Sequence, residues 1–130
     1  MVLVVDDNEY LAQSIKELLI RHKIVSIIAS NGEEAIKECA KAEFRVVVTD
    51  VHMPKMTGLE FIKQLHQKSY PAEVVVYSGH ITKSEMQDVL KFPNVFAIHR
   101  KSDLIEKLIL SIQKAEIFND TRRNIEGSSV

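Results

Sequence analysis

Three observations predict a doubly wound α/β fold, a five-stranded parallel sheet with helices on both faces. Five short apolar runs punctuate the chain, and valine appears in every one. Stretches with apolar residues at helical spacing separate them. Runs as unbroken as Val46-Val47-Val48 suit strands buried on both faces. Strand–helix alternation in turn implies right-handed βαβ units and a parallel sheet.

Val2-Leu3-Val4-Val5 is the first strand, stopped by Asp6-Asp7. The helix after it sets Leu11, Ile15, Leu18 and Leu19 on one face. Val25 to Ala29 is the second strand, and Ser30-Asn31-Gly32-Glu33 caps a helix to about Ala42 with Ala35, Cys39 and Ala40 inward. The third strand ends in Asp50. Met53-Pro54 then forbids easy continuation, and Thr57-Gly58-Leu59-Glu60 opens a helix that buries Leu59, Ile62 and Leu65. Val74 to Tyr77 is the fourth strand, entered after Pro71. Thr82-Lys83-Ser84-Glu85 caps a helix that stops near Lys91, before Pro93. Val95 to Ile98 is the fifth strand, and Leu104, Leu108 and Ile112 stripe the last helix. Residues 1–117 form one domain on this reading, and 118–130 a polar tail or the stump of a linker.

Bulk properties narrow the function. A chain of 130 residues is one domain and buries about two-thirds of its unfolded surface. A net charge of -1 gives no electrostatic footprint for nucleic acid or an anionic membrane. The single Cys39 excludes an internal disulfide and reads as a small core residue. With no membrane-length apolar run and no signal-peptide h-region, the protein is expected in the cytoplasm.

The functional signal lies where strands end. Parallel strands share one carboxyl edge, and at theirs stand Asp6-Asp7, Asp50, Ser78 and Lys101. A strand order of 2-1-3-4-5 makes the first and third strands neighbours at the switch point, where such sheets bind ligands. Three carboxylates then share a cleft with a hydroxyl and an ammonium. Two unit charges roughly 4 Å apart repel by about 4 kcal/mol at an effective dielectric near 20, so a cation or a retained proton must compensate. Oxygen donors suit a hard ion, and Mg²⁺ (or Mn²⁺) prefers few carboxylates plus waters and phosphate oxygens. Asp50, already ionised, can serve as nucleophile toward a phosphoryl group and form an acyl phosphate. Ser78 and Lys101 stand ready for the phosphoryl oxygens.

These residues resemble the response-regulator receiver domains of two-component signalling. The resemblance rests on Asp6-Asp7, the run from Asp50 through Val51-His52-Met53-Pro54-Lys55-Met56-Thr57-Gly58, then Ser78-Gly79 and Lys101, and spans Val2 to about Ile117. It implies a flavodoxin-like fold with Asp50 as phosphoacceptor from a histidine kinase or phosphotransfer protein. It implies Mg²⁺ on Asp7, Asp50 and the His52 backbone carbonyl, with Asp6 acting mainly through water. Ser78 would move toward the phosphoryl group and Lys101 would pair with it. His52 and His80, two residues past Asp50 and Ser78, border the site and are expected to tune acyl-phosphate lifetime.

Two positions depart from the family pattern. Ser102 follows Lys101 where receivers carry proline after a cis bond; without proline that geometry costs about 2.5–4 kcal/mol, so the loop is expected to be trans or strained. Ile98 stands where an aromatic ring usually rotates on activation, which points output toward another packing change on the fourth helix–fifth strand–fifth helix face. That face is also where a homodimer is left open.

Blander readings apply elsewhere. Asp6-Asp7 could merely cap a helix, His22, His66 and His99 have no ligand-like spacing, and Arg122-Arg123 reads as part of a solvated tail. Three other functions fit the sequence less well. An aspartate-nucleophile phosphatase wants a second Asp where His52 stands, and FMN phosphate would be repelled by Asp6-Asp7-Asn8. A phosphorylation-independent docking pseudo-receiver is disfavoured by retention of all five polar groups. The leading expectation is a switch that catalyses its own phosphorylation and dephosphorylation without turning over a metabolite.

Overall fold

The computed structural model describes the backbone of residues 1–128 and the side chains of residues 1–125. Its elements run β1 (Val2–Val5), α1 (Glu9–Arg21), β2 (Ser26–Ala29), α2 (Gly32–Lys41), β3 (Val46–Thr49), α3 (Gly58–Gln67), β4 (Glu73–Ser78), α4 (Lys83–Leu90), β5 (Val95–Arg100) and α5 (Ile105–Ser128). The strands form one parallel sheet in the order β2-β1-β3-β4-β5. The predicted doubly wound architecture is therefore the observed one.

Alternation along each strand divides the valines between two cores. Leu3, Val5, Val47, Val74 and Val76 face α2, α3 and α4, packing with Ala35, Phe61, Ile62, Leu65 and Val89. Val2, Val4, Val46, Val48, Val75 and Tyr77 face α1 and α5, packing with Ala12, Ile15, Leu19, Leu108, Ile112 and Ala115. Each large apolar side chain so buried contributes about 1.5–3 kcal/mol. A one-residue slip in any strand would send its side chains into the wrong layer.

The helices start where local chemistry allows. Asn8, Asn31, Thr57 and Thr82 each accept a backbone N–H three residues on. Among the described residues only Thr82 and Glu85 form a reciprocal capping box; at α3 the Thr57 half alone is present. Gly58 opens α3 because nothing larger fits: a Cβ there would lie 2.0 Å from the Asp50 carbonyl oxygen. The turn before it puts Lys55 at φ 68°, with Met56 N–H donating to Pro54 O at 2.8 Å.

Three expectations need correction. Ala40 is exposed, because α2 turns Ala35, Ile36 and Cys39 to the core and Ala40 away from it. Leu104 precedes α5 and is 68% exposed, so the buried stripe is Leu108, Ile109 and Ile112. The stretch after residue 117 is helical and docked, at least through the described residues, and residues 129–130 lie outside them. Asn119 is fully buried and donates to the Glu73 carboxylate and to Pro71 O. Arg122 pairs with Glu73 at 3.1 Å, and Arg123 donates to Pro71 O and Glu43. Arg122-Arg123 is thus a strap across the amino edge of β4, since a buried Glu73 demands a cation.

Candidate functional site

Register brings the strand-end residues together. Val5 pairs with Thr49 and Ser78 with Arg100, so Asp6 adjoins Asp50, and Lys101 follows directly on from β5 beside Ser78. Backbone bonds continue the ladder past the strands: Asp6 N–H donates to Ala29 O (3.1 Å), Asp50 N–H to Val5 O (3.3 Å) and Lys101 N–H to Ser78 O (2.8 Å). The site is therefore built on rigid sheet rather than free loop.

Asp50 is buried at the centre, 6% exposed. Its Oδ1 accepts from the Ser78 hydroxyl at 2.9 Å and from the His52 backbone N–H at 3.2 Å. Its Oδ2 takes the Lys101 ammonium at 2.6 Å. Lys101 Nζ also lies 2.9 Å from Asp6 Oδ2, while Asp6 Oδ1 accepts from the Asn8 N–H at 2.8 Å. The Ser78 hydroxyl lies 3.0 Å from His80 O as well, and its single proton can serve only one of the two acceptors at a time.

Electrostatics follow from burial. Desolvation raises the Asp6 carboxyl above its ordinary range, outweighing the Asn8 N–H and the Lys101 ammonium that lower it. At Lys101 burial alone would lower the amine, but bonds and charges from Asp50 and Asp6 outweigh it and hold it above its usual value. One ammonium thus bridges two carboxylates, stays charged, and leaves one negative charge of the pair unmatched.

Of the sequence-predicted residues, Asp6, Asp50, Ser78, Lys101 and the His52 backbone converge. Asp7 is exposed at the rim and joins none of these contacts. Ile98 is half-buried against the core formed with α3 and α4. No cis peptide bond occurs among the described residues, so Lys101–Ser102 is trans. The rings of His52 and His80 stack on each other with centroids 6.4 Å apart. Glu85 was not anticipated here: its Oε2 lies 3.2 Å from His52 Nε2. The capping box marked Glu85 in the sequence, but nothing local marked its reach across to the loop after β3.

Among the described residues no three His, Cys, Asp or Glu side chains group as a ready-made metal cage. A divalent ion that keeps waters and takes one or two carboxylates still fits, because Asp6 and Asp50 already share one cationic group, the Lys101 ammonium. The donors are oxygens throughout, which suits Mg²⁺ over softer metals.

A parallel sheet in this order, with acid, hydroxyl and ammonium on its carboxyl rim, defines a receiver-type α/β domain. The chain matches the family model for the response regulator receiver domain over residues 2–112 and belongs to that family, a family of two-component signalling switches. Receiver domains generally bind Mg²⁺ at the phosphorylation site and interact with histidine kinases and output domains. The nitrate/nitrite response regulator NarL of Escherichia coli K12 is 29% identical over 92 residues, 69% of this chain and 43% of that protein. A protein-glutamate methylesterase/protein-glutamine glutaminase of Methanococcoides burtonii is 31% identical over 98% of this chain and 36% of its own length. The chain spans about half or less of the curated relatives it matches. Among solved structures, the chemotaxis protein CheY4 of Vibrio cholerae superposes with a TM-score of 0.80 at 28% identity, covering 88% of this chain and 94% of that one. A CheY-like receiver domain from Methanospirillum hungatei gives 0.87 at 19% identity over 93% and 96%, a likeness of fold.

Proposed function

We propose that Asp50 is the phosphoacceptor of this receiver domain, taking a phosphoryl group from a histidine kinase or phosphotransfer protein in the cytoplasm. The convergence of Ser78, Lys101 and the His52 N–H on one buried carboxylate carries this reading. A carboxylate oxygen attacks the phosphorus of the donor's phosphohistidine. The P–N bond breaks, its electron pair stays on the imidazole nitrogen, which takes up a proton, and an acyl phosphate forms on Asp50.

Asp50 needs no general base, because it attacks as the anion. Lys101 turns from the carboxylate toward an equatorial phosphoryl oxygen, and Ser78 gives its hydroxyl proton to another. Mg²⁺, or Mn²⁺, would be held by Asp7, Asp50 and the His52 carbonyl, with Asp6 acting through water, and would neutralise incoming negative charge there. His52 and His80 cover the approach of water and set the lifetime of the acyl phosphate. The added charge of about -1.5 to -2 shifts the balance of conformations at the face formed by α4, β5 and α5. Output to a downstream target or fused domain leaves through that face, which also suits a homodimer. The domain is a switch without a metabolite to turn over, and it neither binds nucleic acid nor enters a membrane. No helix among the described residues is long and apolar enough to cross one.

A docking module that needs no phosphoryl group is the second reading, favoured by Ile98 in place of a ring and by Ser102 after Lys101. Incubation with acetyl phosphate and Mg²⁺, read by intact mass, separates the two. The expected result is one labile phosphoryl group on the native chain and none on Asp50→Ala. An unmodified native chain, or a variant modified to the same extent, overturns the phosphoacceptor reading.

A further inference from the structure

α4 is the helix held most lightly. Of its eight residues only Val89 is fully buried, and a cleft of about 150 Å³ separates it from α3, lined by Val51, His52, Thr57, Leu59, Glu85 and Val89. Its first turn depends on Glu85. Oε1 of that carboxylate accepts from the Thr82 N–H at 2.9 Å, closing the capping box. Oε2 reaches out of the helix to His52 Nε2 at 3.2 Å. His52 is at the same time bonded to the phosphoacceptor candidate, its backbone N–H lying 3.2 Å from Asp50 Oδ1.

We propose that His52 and Glu85 form a clamp that transmits the state of Asp50 to the N-terminus of α4. The proposal rests on the phosphoacceptor reading of Asp50 and adds the route by which it is reported. The continuous path is carboxylate Oδ1, His52 backbone, His52 imidazole, Glu85 carboxylate and the capped first turn. Phosphorylating one Asp50 oxygen turns the carboxylate into an acyl phosphate, so the acceptor of the His52 N–H loses its share of the carboxylate charge. The bond weakens, the loop after β3 shifts, and the imidazole carries Glu85 with it. The clamp needs a proton on Nε2 only, which neutral and charged imidazole can both provide. The Ile98 side chain is apolar and packs on the core, so it offers no polar contact to compete with the His52–Glu85 pair.

The experiment compares the full chain with Glu85→Ala and Thr82→Ala. Glu85→Ala removes clamp and cap; Thr82→Ala weakens the cap and leaves Glu85 opposite His52. Backbone amide exchange across residues 83–90 is followed by NMR with and without acetyl phosphate and Mg²⁺, while intact mass reports phosphorylation. In the native chain and in Thr82→Ala, phosphorylation is expected to change α4 exchange by about threefold or more, the scale of one polar contact. In Glu85→Ala the phosphoryl group is still gained and the change in α4 is lost. A Glu85→Ala chain that is phosphorylated and still shows the native change overturns the clamp and leaves the phosphoacceptor reading standing. Loss of the change in Thr82→Ala as well assigns it to helix capping and also overturns the clamp. A native chain that gains no phosphoryl group overturns both readings.

Discussion

Asp6 and Lys101 show opposite consequences of the same burial. Burial raises the Asp6 carboxyl from its ordinary 3.8, so in the folded state its ionisation is opposed. The favourable contribution of the protonated form is fully present below pH 3.8 and is lost as pH rises through the folded value. Asp6→Asn removes that penalty while keeping an oxygen for the Asn8 N–H. The variant is expected to exceed the native chain in stability at pH 7, with the advantage shrinking toward pH 4. Urea midpoints at the two pH values check this, and an advantage that grows on acidification would show the sign to be wrong.

Within the elements, the connections carry as much stabilising chemistry as the helices. Tyr70, just before β4, donates its hydroxyl to Ala42 O at 2.7 Å and accepts from the Phe44 N–H at 2.8 Å. It thereby pins the link between α2 and β3, where Phe44 is fully buried. Burial pushes the phenol up to about 12. Its contribution is fully present below the ordinary 10.0 and is lost as pH rises through about 12. Tyr70→Phe leaves the Phe44 N–H unpaired and is expected to cost about 1–3 kcal/mol. The loss should appear in denaturant unfolding at neutral pH and narrow in strongly alkaline solution. A neutral effect at pH 7 would mean that water replaces the hydroxyl at no cost.

Across the whole molecule, the sheet has two polar edges with different tasks. The carboxyl edge gathers Asp6, Asp50, Ser78 and Lys101, whereas the amino edge of β4 buries Glu73 beneath Asn119 and Arg122 of α5. With Glu73 only 3% exposed, Arg122→Ala is expected to cost about 1–3 kcal/mol through the charge it leaves behind. Adding Glu73→Gln should recover part of that loss, because a neutral amide tolerates burial better. A double-mutant cycle by urea unfolding measures the coupling, and a value near zero would rule out the strap as a stabilising pair. The strap fixes the extended part of α5 to the strand whose other end carries Ser78.

The sequence by itself determined the fold class and the rim on which the site stands, because periodicity and strand ends are local signals; the strand order 2-1-3-4-5 entered as a condition that the sheet fulfils. Asp50, Ser78 and Lys101 were legible for the same reason: each terminates or follows an apolar run that a parallel sheet must align. The fate of residues 118–125 was not legible, since Arg122 and Asn119 look like tail residues until β4 brings Glu73 beneath them. Glu85 opposite His52 was equally hidden, because a capping box reports the helix it opens and not the loop across the cleft. Only tertiary structure decided these contacts, because partners between about 30 and 50 positions apart meet through packing of the elements that carry them and leave no pattern within either segment.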